Sequence, residues 1–129
     1  MCIRDRIKVE APSGDEARGM GPFVNGHSLY FASINRGKQS IGIDLKHSEG
    51  RAIARRLADK ADILVENFRP GTMQRLGLDY DCVRASNPRI VYASLSGFGQ
   101  DAPYRDRGAY DVIVQAMGGL MGILSLIHI

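Results

Sequence analysis

Residues Ala61 to Tyr80 read ADILVENFRPGTMQRLGLDY, and the opening run Asp62 to Glu66 (DILVE) decides the fold class. Ile63, Leu64 and Val65 are consecutive apolar residues bounded by carboxylates, too short a run for a helix. Such a segment fits a strand of a parallel sheet buried on both faces. Downstream, Gly71 to Leu76 suits a short helical turn and Tyr80 to Ala85 another, stopped at Asn87-Pro88. The residue before a proline is pushed out of the α region, which ends a helix there. Arg89 to Leu95 (RIVYASL) returns to strand. Strand, helix and strand in this order argue for a parallel α/β sheet with right-handed crossovers.

Working upstream, Ser40 to Leu45 (SIGIDL) puts Ile41, Ile43 and Leu45 on one face, a strand-like period of two. Ser48 or His47 can cap the helix that follows. That helix carries Ile53, Leu57 and Ala61 at i, i+4, i+8, with Arg51, Arg55, Arg56 and Lys60 elsewhere. Ile7 to Glu10 alternates as a short strand, Ala11 to Gly21 (APSGDEARGMG) reads as loop, and Ser28 to Ile34 as irregular or helical. In the other direction, Ser96 to Gly108 is a loop, and Ala109 to Gly118 has helical spacing in Val112, Ile113, Ala116 and Met117. In open parallel sheets ligands gather beyond the carboxyl ends of strands. Asn67-Phe68-Arg69 and Ser96-Gly97-Phe98-Gly99 therefore mark the expected site.

The chain has 129 residues, 44% hydrophobic and 24% charged, the usage of an ordinary globular domain. Two cysteines and five prolines exclude a disulfide scaffold and a collagen. A net charge of +3 suits an anionic ligand but does not argue for nucleic acid. The apolar stretch from Val112 to Ile129 contains Gln115 and several glycines, so it is not read as a membrane span.

The two ends stand apart. Met1 to Arg6 (MCIRDR) back-translates as ATG TGT ATA AGA GAC AG plus a base, and Leu124 to Ile129 (LSLIHI) as CTG TCT CTT ATA CAC AT plus a base. Each string is the reverse complement of the other and looks like the transposon end ligated to DNA fragments in library preparation. Residues 1–6 and 124–129 are therefore expected to be adapter scars, to be set aside before fold reasoning. Residues 7–123 are then an interior window of a longer protein. Arg4, Asp5 and Arg6 leave with the scars, so residues 7–123 carry a net charge of +2. Cys2 and His128 drop out, and with Cys82 as the one natural cysteine no disulfide and no cysteine-based metal site are expected.

No GxGxxG, Walker loop, GxSxG or HExxH is present. Ser94 and Ser96 in SLSG have no base beside them in sequence and read as loop hydroxyls, and His27 and His47 as surface residues without metal spacing. Cations do recur near strand ends: Arg36, Lys38 and Lys46, then Arg69 and Arg75, then Arg105 and Arg107. Guanidinium groups bind phosphate oxygens bidentately, and neighbouring glycines admit close backbone approach. A solvated surface explains the same scatter. Physical chemistry alone thus reaches an α/β domain with a candidate phosphate-bearing ligand.

Taken in order, IKVEAPSGDEAR (Ile7 to Arg18), NRGKQSIGIDLK (Asn35 to Lys46), ADILVENFRPGTMQRLGLDY (Ala61 to Tyr80), NPRIVYASLSGFGQDAP (Asn87 to Pro103) and GAYDVIVQAMGGLMG (Gly108 to Gly122) resemble the class III CoA-transferases. This is the family of formyl-CoA transferase and carnitine CoA-transferase, and it also contains α-methylacyl-CoA racemase. The specificity lies in the ordered conjunction, which spans nearly all of residues 7–123. The resemblance implies an α/β fragment of a Rossmann-like large domain in a cytoplasmic, interlocked homodimer. It implies acyl-CoA and a small carboxylic acid as substrates, with no permanently bound cofactor and no metal, nucleic-acid or membrane partner.

Residue by residue, the resemblance gives Ile43, Asp44, Leu45 and Lys46 to the run flanking the nucleotide part of CoA. Asn67, Phe68 and Arg69 match a second contact segment, and Arg75 a CoA-binding arginine. Arg107, Gly108, Ala109 and Tyr110 match the stretch lining the thioester end, with Asp111 beside Tyr110 in an orienting or helix-capping place. The family's nucleophilic aspartate is expected a few tens of residues beyond Met117-Gly118-Gly119, outside this chain. Racemases of the family carry histidine where Tyr110 stands. A racemase needs paired acid and base groups, and tyrosine, with a reference pKa of about 10, is a poor base, which favours transfer. A non-catalytic CoA-binding paralogue is the third reading, and the downstream sequence decides it.

Overall fold

The computed structural model describes residues 6–123. Residues 1–5 and 124–129, almost all of the two expected scars, lie outside the described residues. The chain divides into two units, one ending at Ala58 and the other beginning at Asp59.

In the first unit, β1 (Arg6–Glu10) and β4 (Lys38–Gly42) pair in parallel, with Arg6 opposite Lys38 and Glu10 opposite Gly42. Between them lie a 3-10 turn (Glu16–Gly19), a two-residue antiparallel pair, β2 (Phe23–Val24) with β3 (His27–Ser28), and helix α1 (Leu29–Ile34). The turn falls inside the stretch read as plain loop. Ser28 caps α1, its hydroxyl accepting the Phe31 N–H at 3.0 Å. The buried carboxylate of Glu10 holds this excursion to the strands. It accepts both Nε and Nη2 of Arg18 at 3.0 Å, the Ser40 hydroxyl at 2.7 Å and the Asp15 N–H at 2.9 Å. The Arg18 guanidinium lies 4.0 Å from the centre of the Phe31 ring, and Lys8 pairs with Asp15.

Two expectations need correction here. The strand read over Ser40 to Leu45 ends at Gly42. Ile43 still donates to the Glu10 carbonyl at 2.8 Å, but Asp44 then turns the chain, its carboxylate accepting the Lys46 N–H at 2.9 Å. Helix α2 (Ser48–Ala58) buries Gly50, Ala54 and Ala58, while Ile53 stays exposed. The reason is steric. A Cβ on Gly50 would lie 2.0 Å from the Asp44 carbonyl oxygen, so the helix seats through its smallest residues. Its first hydrogen bond runs from Arg51 N–H to the His47 carbonyl, which makes His47 the residue preceding the helix.

In the second unit, β5 (Ile63–Glu66) and β6 (Val91–Ser94) are parallel, with Ile63 opposite Val91 and Glu66 opposite Ser94. Helices α3 (Thr72–Leu76) and α4 (Tyr80–Ser86) form the crossover, as read from the sequence. Gly77 ends α3 at φ 67°, a left-handed conformation that favours glycine. Met73, Leu78, Val83 and Ile90 make the core, with Val83 fully buried. Strand β5 is not covered on both faces in this chain: Ile63 is 61% and Val65 64% exposed. A two-stranded ladder has too few neighbours to enclose them. After β6, the loop to Tyr110 leads into α5 (Asp111–Met117) and α6 (Leu120–Ile123). Among the described residues no helix is long and apolar enough to cross a membrane.

Candidate functional site

Pairing Glu66 with Ser94 brings the carboxyl ends of β5 and β6 side by side, so Asn67-Phe68-Arg69 and Leu95-Ser96-Gly97 leave the sheet together. The Glu66 carboxylate is buried at this point. It accepts the Phe68 N–H at 2.8 Å and the hydroxyl of Ser94, while the Glu66 carbonyl accepts the Leu95 N–H at 2.9 Å. Ser94 is thus the last strand residue with its hydroxyl committed, not the loop hydroxyl expected. Neither Glu66 nor this contact was read from the sequence. The only hint was a carboxylate ending an otherwise apolar strand.

Beside these strand ends lies a cavity of about 210 Å³, lined among others by Glu66, Arg69, Gln74, Tyr80, Tyr92, Ser94 and Gln100. The Tyr92 hydroxyl donates to the Leu78 carbonyl at 2.9 Å, and its ring meets Tyr80 edge to face at 5.9 Å. Burial, reinforced by the negative charges of Glu66 and Asp79, pushes the Tyr92 phenol up to about 12. It remains a donor throughout the physiological range. The cavity wall thus combines a guanidinium, the carboxylates of Glu66 and Asp79, two amide side chains and two aromatic rings, a mixture suited to a polar ligand with a flat or apolar part.

Two of the expected contact segments converge. A Cβ on Gly108 would lie 3.4 Å from Arg69 Nη2, so the guanidinium from the β5 end reaches the loop before α5. One residue on, Ala109 presses on Gly97 so closely that a Cβ there would sit 1.9 Å from its own. Arg107 stacks over Tyr104 at 4.3 Å, and Tyr104 meets Phe98 edge to face at 5.9 Å. Arg75 lies in the last turn of α3, with its Nη2 donating to Thr72 Oγ1 at 3.1 Å, and it is not part of the cavity wall. Tyr110 precedes α5 and is 80% exposed. Asp111 is the first helical residue rather than the cap. Its carboxylate accepts from Gln115 Nε2 at 2.5 Å and complements the helix dipole.

The remaining expected segment belongs to the first unit. Ile43 is buried, and Ile43 and Asp44 line an open cavity of about 320 Å³ together with Ile41, His47, Glu49 and Ile53. Arg51 Nη1 donates to the Lys46 carbonyl at 2.8 Å, fixing the Leu45-Lys46 turn while the Lys46 side chain faces solvent. Among the described residues no group of three metal-ligating side chains forms.

Parallel strands with cations and glycines at their carboxyl ends define an α/β domain with a polar cleft at its strand ends. The chain belongs to CoA-transferase family III, whose family model matches residues 5–126. It is 53% identical over 116 residues to acetyl-CoA:oxalate CoA-transferase of Acetobacter aceti, covering 89% of this chain and 30% of that protein. It is 48% identical over 127 residues to succinate–glutarate CoA-transferase of Agrobacterium fabrum, covering 92% and 32%. A crystal structure of a CAIB/BAIF family protein from Brucella suis superposes with a TM-score of 0.84 at 46% identity, over 91% of this chain and 32% of that one. The chain therefore spans about a third of the length of the relatives it matches.

Proposed function

We propose that the protein containing this chain transfers coenzyme A from an acyl-CoA thioester to a free carboxylate. The observation that carries this reading is Arg69, held beyond the ends of two parallel strands with its guanidinium against Gly108 in a chain of this family. Arg69, Arg75, Arg107 and Lys46 supply positive charge for the ligand's phosphates, and Ile43 to Lys46 flanks its nucleotide end. Gly108, Ala109 and Tyr110 line the thioester end. Residues 7–123 are then part of the CoA-binding domain.

Chemistry follows the family pattern. An aspartate downstream of this chain attacks the thioester carbonyl, the C–S bond breaks, and CoA thiolate leaves an acyl-aspartyl anhydride. The thiolate then attacks the aspartyl carbonyl, releasing the first carboxylate and leaving an enzyme-bound thioester. Covalent catalysis of this kind divides one hard acyl transfer into easier steps. The acceptor is a small carboxylic acid, in keeping with relatives named for oxalate and glutarate. No permanent cofactor takes part. Cytoplasmic location and an interlocked homodimer rest on the family resemblance alone.

The test is CoA exchange by the full-length protein between acetyl-CoA or succinyl-CoA and a panel of carboxylates that includes oxalate and glutarate. Exchange with at least one acid is expected. No exchange, together with washout of the α-proton of a 2-methylacyl-CoA into deuterated solvent, would make the protein a racemase. CoA binding with neither reaction would make it a non-catalytic paralogue.

A further inference from the structure

We propose that Glu66 is a positioning residue of the ligand cleft, fixing the backbone that presents Phe68 and Arg69; this rests on the CoA reading above. A buried carboxylate is costly unless its oxygens are satisfied, and a cationic partner is the usual remedy. Arg69 lines the same cavity, yet Glu66 does not pair with it. One carboxylate oxygen accepts the Phe68 N–H at 2.8 Å and the other the Ser94 hydroxyl.

The arrangement has two consequences. Glu66, Phe68 and Ser94 tie the first peptides after β5 to the last residue of β6, so the loop leaves the sheet in one direction. Among the described residues Arg69 has no carboxylate at ion-pair distance, so its charge is available to an anion from outside. Without the Glu66 carboxylate the part-buried Phe68 N–H loses its acceptor, and the turn loses the bond that fixes it. The turn would relax, and Arg69 would lose its place beside Gly108.

The role requires hydrogen bonds rather than charge, and that separates the variants. In Glu66→Gln the amide oxygen accepts the Phe68 N–H while the amide nitrogen donates to Ser94 Oγ. In Glu66→Ala both contacts vanish. The experiment uses the full-length protein, with free coenzyme A as the probe in titration calorimetry. Glu66→Ala should weaken CoA binding roughly tenfold, and Glu66→Gln should stay within about threefold of wild type. In the exchange assay the loss should fall on KM for the acyl-CoA, with kcat nearly unchanged.

Hydrogen exchange at the Phe68 amide gives a readout that needs no ligand. Protection should fall in Glu66→Ala and persist in Glu66→Gln. Wild-type affinity and Phe68 protection in Glu66→Ala would overturn the proposal, as would a Glu66→Gln variant as impaired as the alanine. A wild-type protein that does not bind CoA would remove the CoA reading instead, and Phe68 protection would still decide whether Glu66 positions the loop.

Discussion

Glu10 shows what a single side chain does in the first unit. Its hydrogen bonds from Arg18, then from Ser40, outweigh the cost of burial and bring its carboxyl from 4.5 down to about 2. A carboxylate with a lowered folded pKa stabilises fully above its unfolded value and loses that contribution as pH falls through the folded one. A shift of this size bounds the effect at about 3 kcal/mol, lessened because the half-exposed Arg18 end is screened by solvent. Glu10→Gln in the full-length protein should lower the melting temperature at pH 7. The gap to wild type should narrow between about pH 4.5 and 2. A gap that is constant over this range would show that ionisation of Glu10 contributes nothing. Glu10 and Glu66 are also where the sequence was silent. Each is a lone acid at a strand end, and only the fold shows that its partners lie at Arg18 and Ser40, or at Phe68 and Ser94.

At the scale of elements, strand and helix order was legible because apolar runs, Asn87-Pro88 and the glycines punctuate the chain strongly. Which face of a helix is buried was less so. The expected row of Ile53, Leu57 and Ala61 lies next to the row that is buried, Gly50, Ala54 and Ala58. Hydropathy favours the larger side chains, but close approach to the Asp44 carbonyl selects the smaller ones, and periodicity does not encode that distance. Gly50→Ala is the corresponding test. A methyl group 2.0 Å from a backbone oxygen forces α2 away from the turn at Asp44. Overpacking of this kind should cost about 3 kcal/mol or more, read as a lower denaturation midpoint. Because Ile43 and Asp44 border the cavity in that unit, CoA affinity should fall as well. A variant with wild-type stability would mean that the helix does not seat on Gly50. The site was legible to a similar degree. Arg69 and Gly108, both expected from the sequence, lie against each other, whereas the aromatic and amide wall of Tyr80, Tyr92, Gln74 and Gln100 comes from separated segments that no spacing rule connects.

For the whole molecule, the decisive fact is that the chain spans about a third of its relatives' length, while its strands keep the sequence of buried ones. Ile63 and Val65 share one face of β5 and Val91 lies opposite Ile63, so the three form one apolar face, with Val91 59% exposed. An isolated two-stranded ladder is marginal in water, and both its strands are edges open to pairing with another chain. Contiguous exposed apolar surface adds a second route to association. The isolated 129-residue chain should therefore catalyse no CoA exchange and should self-associate at micromolar concentration, measured by sedimentation velocity and by binding of a hydrophobic dye. Val65→Lys, which places a charge on that exposed face, should shift the chain toward smaller species and reduce dye binding. The same substitution in the full-length protein should instead destabilise it, because the run Ile63 to Val65 has the sequence of a strand covered on both faces. A soluble, monomeric, CoA-binding preparation of the isolated chain would show that this face needs no further covering.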